Sequence, residues 1–177
     1  VTRDAVCTCQ EVFTGTSEQP IDLDIALPDY CPDISRMLKC QAVPQITTRS
    51  ISGDRLTVEG STIIRVFYGD EEGHLRCCEL NSAFSSEFDL KTAPQQPVVH
   101  TDVRVDFINC RAVTRRRVDL HCAFTITAHV WGQQRQELVT GIQGEGVRTR
   151  MVSLPVSSHI ASVQQPFVLS EEFMPEG

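Results

Sequence analysis

Arg55-Leu56-Thr57-Val58-Glu59-Gly60-Ser61-Thr62-Ile63-Ile64-Arg65-Val66-Phe67-Tyr68 decides the fold, because its character returns at residues 117–131. A shift of 62 residues aligns Val43 with Val105, Ile46 with Ile108, Ile51 with Val113 and Arg55 with Arg117. The register then holds without a gap: Leu56, Val58, Ile64 and Tyr68 fall on Val118, Leu120, Ile126 and Val130, and Cys77 and Leu80 meet Val139 and Ile142. Both stretches are rich in Val, Ile, Thr and aromatic residues, which favour strands. Alternation puts Ile64 and Leu120 at inward positions of two long central strands. Self-similarity at a fixed period marks a repeated supersecondary unit.

Each copy reads as a three-stranded meander. In the first, strands near 41–51, 55–69 and 74–83 are joined by turns at Ser52-Gly53-Asp54 and Gly69-Asp70-Glu71-Glu72-Gly73, where glycine supplies the positive φ of a tight turn. In the second, strands near 102–113, 117–131 and 135–143 turn at Thr114-Arg115-Arg116 and Gly132-Gln133-Gln134. Residues 84–90 read as a further strand and 91–97, with Pro94 and Pro97, as a linker. Three strands alone bury no stable face, so the two copies are expected to pack on each other, or each to recruit extra strands.

Ahead of the first copy lies Leu27-Pro28-Asp29-Tyr30-Cys31-Pro32-Asp33-Ile34. Each proline fixes its own φ and pushes the preceding residue, Leu27 or Cys31, toward extended geometry, which makes a rigid corner. Pro32 suits the first position of a helix, Asp33 suits its positive end, and Ile34, Met37 and Leu38 recur at helical spacing. The reading is a short helix near 32–38 that caps one end of a β core. Before the corner, Ile21, Leu23, Ile25 and Leu27 alternate with Asp22, Asp24 and Ala26, a strand with one buried and one acidic face. Residues 1–17 read as a lead-in or an added edge strand.

The run from Asp22 to Ile34, followed by Gly53-Asp54-Arg55-Leu56-Thr57-Val58-Glu59-Gly60 and Val66-Phe67-Tyr68, resembles the SPOCS-domain family over roughly residues 18–90. The resemblance implies a spore envelope assembly protein of a spore-forming clostridium, with SPOCS domains upstream of a peptidoglycan-binding LysM module. It further implies action on the mother-cell, cytoplasmic side, at the surface of the developing spore. It carries no catalytic residues onto this chain. Gln165-Pro166-Phe167-Val168-Leu169 and Phe173-Met174-Pro175 echo Gln19-Pro20-Ile21-Asp22-Leu23 and Leu27-Pro28-Asp29, and read as the start of a following domain.

Composition narrows the partners. A formal charge of −7 and a pI near 5.2 argue against a general nucleic-acid binder, which needs an electropositive face for phosphates. Apolar runs fall far short of the ~20 residues that span a bilayer. The eight cysteines permit disulfides. Cys77 and Cys78 are adjacent and point to opposite faces, Cys7 and Cys9 lie two apart, and Cys31, Cys40, Cys110 and Cys122 lie apart in sequence. Reduced thiols in a cytosolic compartment are therefore expected.

The motifs that suggest sharper chemistry each have a plainer reading. Cys7 and Cys9 lack a second pair at zinc spacing, and Asp22, Asp24, Asp29 and Asp33 lack the glycine-centred loop of a calcium site, so no metal and no cofactor are expected. His121 and His129 share a strand face but stand roughly 26 Å apart, too far for one ion. The glycines at 141, 144 and 146 precede neither a helix nor Lys-Ser/Thr, which makes them a turn or bulge and not a phosphate loop. No Gly-x-Ser-x-Gly occurs and no nucleophile and base converge, so no enzyme is expected. Phe67, Tyr68 and Trp131 suggest a sugar-stacking platform, against which stands their place in a small β core.

The sequence thus predicts an all-β protein, a β-sandwich or paired β-meanders built from two similar three-stranded units with one short helix near 32–38. The expected division is a lead-in over 1–17, a first SPOCS-like unit over 18–97, a second packing on it over 98–150, and a linker or following domain over 151–177. The expected function is non-catalytic: a structural, protein-interaction module that binds other spore envelope morphogenetic proteins, among them the coat basement-layer ATPase, or a second copy through edge strands. Asp29, Tyr30, Cys31 and Asp33 of the corner and Arg115 and Arg116 of a basic hairpin tip are the candidate contact residues. The alternative is a peptidoglycan- or other carbohydrate-binding β domain.

Overall fold

The computed structural model describes residues 1–156 together with 159, 161, 163 and 170. Six strands follow in order: β1 (Thr2–Ala26), β2 (Arg36–Ser52), β3 (Arg55–Gly69), β4 (Leu75–Asp89), β5 (Gln95–Thr114) and β6 (Arg117–Gly141). They form two antiparallel three-stranded sheets, ordered β2-β3-β4 and β1-β6-β5. The sheets pack face to face around the two central strands, β3 and β6. All-β architecture from two similar three-stranded sheets is what the repeat predicts.

The alternation read from the sequence is the one that fills the core. Leu56, Val58, Ile64 and Val66 of β3 and Val118, Leu120, Phe124, Ile126 and Val130 of β6 are wholly buried. Gly60 interrupts this row for a steric reason. A Cβ there would lie 2.2 Å from the Gln45 carbonyl oxygen and 2.5 Å from the Phe84 ring, which fills the space. Phe84 in turn packs edge-to-face on Phe124, with centroids 4.9 Å apart, and Phe13 packs on Phe88 at 5.9 Å, so that β4 is tied to both β6 and β1 of the other sheet.

Four expectations need correction. No helix forms at 32–38: the Ile34 N–H donates to the Arg115 carbonyl at 2.7 Å and the Ser35 N–H to Gly69 at 2.9 Å, so the donors a helical turn would use are taken by other elements. Met37 already pairs with Tyr68 inside β2. The chain does not turn at 132–134. There β6 runs straight on to Gly141, and the third strand of its sheet is β1, paired from Ala26↔Arg117 to Thr2↔Gly141. The segments read as separate strands at 74–83 and 84–90 are one, β4. The thiols are not all free, because β2 lies over β5 and Cys40 is bonded to Cys110, with Cα atoms 6.4 Å apart. Separation along the chain concealed a proximity that only the sandwich creates.

The turns at 52–54, 70–74 and 114–117 stand where the sequence puts them, with Gly53 and Gly73 at φ of 63° and 84°. Gly144–Val147 makes a turn, closed by the Val147 N–H on the Gly144 carbonyl at 3.4 Å. The echo at 165–169 and 173–175 lies outside the described residues. Among the described residues no helix is long and apolar enough to cross a membrane.

Candidate functional site

The corner between β1 and β2 is built by its own sequence and then clamped. Leu27 and Ile34, one at each end, are buried and anchor it to the core. Between them Pro28-Asp29-Tyr30-Cys31 makes a β-turn in which the Cys31 N–H donates to the Pro28 carbonyl at 2.8 Å. The β5–β6 hairpin tip then reaches across. Arg116 donates from Nη1 to Asp33 Oδ1 at 2.8 Å and to the Cys31 carbonyl at 3.1 Å, and from Nη2 to the carbonyls of Pro28 at 2.9 Å and Leu27 at 3.5 Å. Its own carbonyl accepts the Leu27 N–H at 2.8 Å. A planar guanidinium can serve several acceptors at once, and the bond to Asp33 holds it firmly in its charged form.

Tyr68 closes the corner from below. Its ring is buried and its hydroxyl donates to the Pro32 carbonyl at 3.1 Å. Burial, and next the Cys31 thiol beside it, push the phenol up to about 12, so it remains a donor at neutral pH.

The β3–β4 loop completes this end of the sandwich. Asp70 is buried; its Oδ1 accepts the N–H groups of Glu72 at 3.0 Å and His74 at 2.8 Å, and its Oδ2 accepts Arg76 Nε at 2.8 Å. Burial alone would raise this carboxyl, but Arg76 and the His74 N–H outweigh it and hold it below its ordinary value. Glu71 pairs with Arg115 at 2.5 Å, joining this loop to the hairpin tip. Asp70, Glu72 and His74 present donor atoms close enough for a cation. Asp70 already spends both oxygens on Arg76 and the loop backbone, so the cluster is accounted for as a loop staple.

The structure therefore brings together all six residues singled out in the sequence, in two layers. Asp33 and Arg116 face each other and hold the corner; Cys31 is half-buried beneath it; Arg115 is engaged with Glu71. Asp29 and Tyr30 are left facing solvent, and Tyr30 is 88% exposed. Sequence reasoning missed Tyr68, Asp70 and Arg76 as supports. Tyr68 fell on an inward register position, which gave its burial but not its bond to Pro32. Asp70 was visible only as a turn residue. The aromatic trio does not form a platform: Tyr68 points into the core, while Phe67 and Trp131 lie on the outer faces of different sheets.

Residues 33–113 match the family model described as SipL, SPOCS domain. The matched span starts inside the corner, takes in β2, β3 and β4, and ends within β5, just before the hairpin tip. Of the stretch that carried the resemblance, 22–32 lies ahead of it. No curated protein and no solved structure matches the chain.

Proposed function

We propose that this chain, whose residues 33–113 match the model of the SPOCS domain, is a non-catalytic interaction module of a spore envelope assembly protein, working on the mother-cell side at the surface of the developing spore. It binds other morphogenetic proteins, the coat basement-layer ATPase among them, through the corner at 27–34. The observation that supports this is Tyr30, an almost fully exposed aromatic on a loop fixed by Arg116, Tyr68 and two buried anchors. With the backbone that carries it already ordered, the loop loses little conformational entropy when a partner covers the aromatic, and large aromatics are the usual anchors of interface hot spots. The ionisable groups around it are tied to one another in a manner that serves shape, with Arg116 on Asp33, Arg115 on Glu71 and Arg76 on Asp70.

The test is a titration of the chain against the purified basement-layer ATPase, alongside capture from a lysate of sporulating cells. Tyr30→Ala and Asp29→Ala are expected to weaken binding at least tenfold with an unchanged melting temperature. Equal binding by wild type and both variants removes the corner from the interface. Retention on peptidoglycan with no protein bound would favour the carbohydrate-binding alternative.

A further inference from the structure

Among the described residues four strands form the edges of the two sheets: β1 and β5 in one, β2 and β4 in the other. An edge offers unpaired N–H and C=O groups to any extended backbone, and proteins blunt it with proline, bulges and charge. β1 carries Pro20 and a register shift between Glu11 and Phe13. β2 carries Pro44 and shifts between Met37 and Lys39 and between Ile46 and Thr48. β5 carries Pro97 and shifts near both ends and at Val105/Phe107. β4 has none of these. Its 15 residues include no Pro and no Gly, and they pair with β3 from Gly69↔Leu75 to Arg55↔Asp89 without a break.

Nor do its charges guard the edge. Arg76 is bonded to Asp70 at 2.8 Å, Glu79 to Arg65 at 2.8 Å and Glu87 to Arg55 at 3.1 Å, while Asp89 accepts the Lys91 N–H at 2.9 Å. Between Glu79 and Glu87, Leu80-Asn81-Ser82-Ala83-Phe84-Ser85-Ser86 is uncharged.

We propose that β4 pairs antiparallel with β4 of a second copy of this chain about a two-fold axis at Ser82, joining two three-stranded sheets into one of six strands. The sequence is self-complementary in that register. On the core-facing side Leu80 meets Phe84 of the second copy, twice; both are only half-buried in the single chain, at the margin of its core. On the solvent side Asn81 meets Ala83 and Glu79 meets Ser85, so no like charges face each other. An axis one residue along, at Ala83, would set Glu79 against Glu87, which disfavours it. The contact is isologous and therefore closes at two copies instead of growing into a fibre.

This dimer rests on the reading of the chain as an interaction module and adds a self-contact to it. Sedimentation equilibrium from low to high micromolar concentration is expected to show a reversible dimer. Asn81→Lys with Ala83→Lys, both at exposed positions, sets like charges opposite each other twice; it is expected to give a monomer of unchanged melting temperature. Ser82→Cys, with Cys7, Cys9 and Cys77 changed to Ser, is expected to form one intermolecular disulfide under mild oxidation, and to lose it in the N81K/A83K background. A wild-type monomer at every concentration overturns the proposal, as does a dimer that ignores N81K/A83K or fails to cross-link at position 82. ATPase binding measured on the same proteins separates the two readings: binding retained without any dimer refutes self-pairing alone, and a dimer that binds no ATPase refutes the partner reading alone.

Discussion

Arg116 meets Asp33 at 2.8 Å across 83 residues of sequence, and the same guanidinium holds the carbonyls of Leu27, Pro28 and Cys31. A hairpin tip of one sheet thus fixes the shape of the loop that leads into the other. The backbone on either side of Tyr30 is thus held by a residue far from it in sequence.

Replacing Arg116 should loosen the corner without unmaking the sandwich. Arg116→Ala is expected to lower the melting temperature by a few degrees. It should also speed amide exchange at Cys31 and Ile34 while Val58, Ile64 and Leu120 stay protected. Arg116→Lys is expected to resemble Ala, because an ammonium cannot fork between Asp33 and the Pro28 carbonyl. Unchanged exchange at Cys31 in both variants would mean the two prolines hold the corner unaided. ATPase binding should fall along with the exchange protection.

The Cys40–Cys110 bond closes a sequence separation of 70, for which chain entropy predicts a stabilisation of about 4 kcal/mol. Dithiothreitol, or Cys40→Ser with Cys110→Ser, should lower the denaturation midpoint accordingly, and Cys7→Ser should not. Equal midpoints with and without reductant would show that the sheets need no cross-link. The same comparison bears on the cell compartment, since a cytosolic chain would work in the weaker, reduced form.

Ile64 and Leu120 are both wholly buried on facing central strands. Ile64→Asp or Leu120→Asp should abolish cooperative folding, because each leaves an unpaired charge in the core. Gly60→Ala adds only a methyl, yet should cost about 1–3 kcal/mol, since the obstacle is the Gln45 backbone oxygen at 2.2 Å and not a movable side chain alone. Chemical denaturation measures each. A cooperatively folding Ile64→Asp would refute the register.

These core positions were legible because period-2 alternation depends on neighbours along the chain. Which strand lies beside which does not. The link between residues 117 and 141 could not be seen as one strand: Gly132-Gln133-Gln134 has the composition of a turn, and what keeps it extended is pairing with Gln10, Cys9 and Thr8 of β1, more than 120 residues away in sequence. The helix expected at 32–38 failed for the same reason. Its local signals were sound, but carbonyls of Arg115 and Gly69 outcompeted them. The corner and the arginine tip were each picked out singly; that one binds the other is a property of the sandwich.

His121 sits on the outer face between two carboxylates, with Nδ1 2.6 Å from Asp22 of β1 and Nε2 3.4 Å from Asp119, which also receives Arg111 at 3.1 Å. The bond to Asp22, and next the charge of Asp119, raise the imidazole above its ordinary 6.5. A raised folded value means the contribution is complete below about 6.5 and is lost as pH climbs through that raised value. The melting temperature of wild type minus that of His121→Gln should therefore be larger near pH 6 than near pH 8. A difference independent of pH would mean that the imidazole contributes by packing and not by charge.

Thr62 is wholly buried on the inward face of β3, and among the described residues its hydroxyl has no hydrogen-bond partner. The methyl of the same side chain suits the core; the hydroxyl has lost its water and gained no partner from the described residues. Thr62→Val keeps the shape and removes the orphaned group, so it should stabilise the chain by about 1 kcal/mol. Ser86, buried on β4 with the same deficit, gives an independent trial through Ser86→Ala, with a smaller gain because a cavity replaces the lost atom. Denaturant midpoints at constant m-value report both changes. If Thr62→Val instead destabilises, the hydroxyl is satisfied by buried water, and the space beside Thr62 is a polar one.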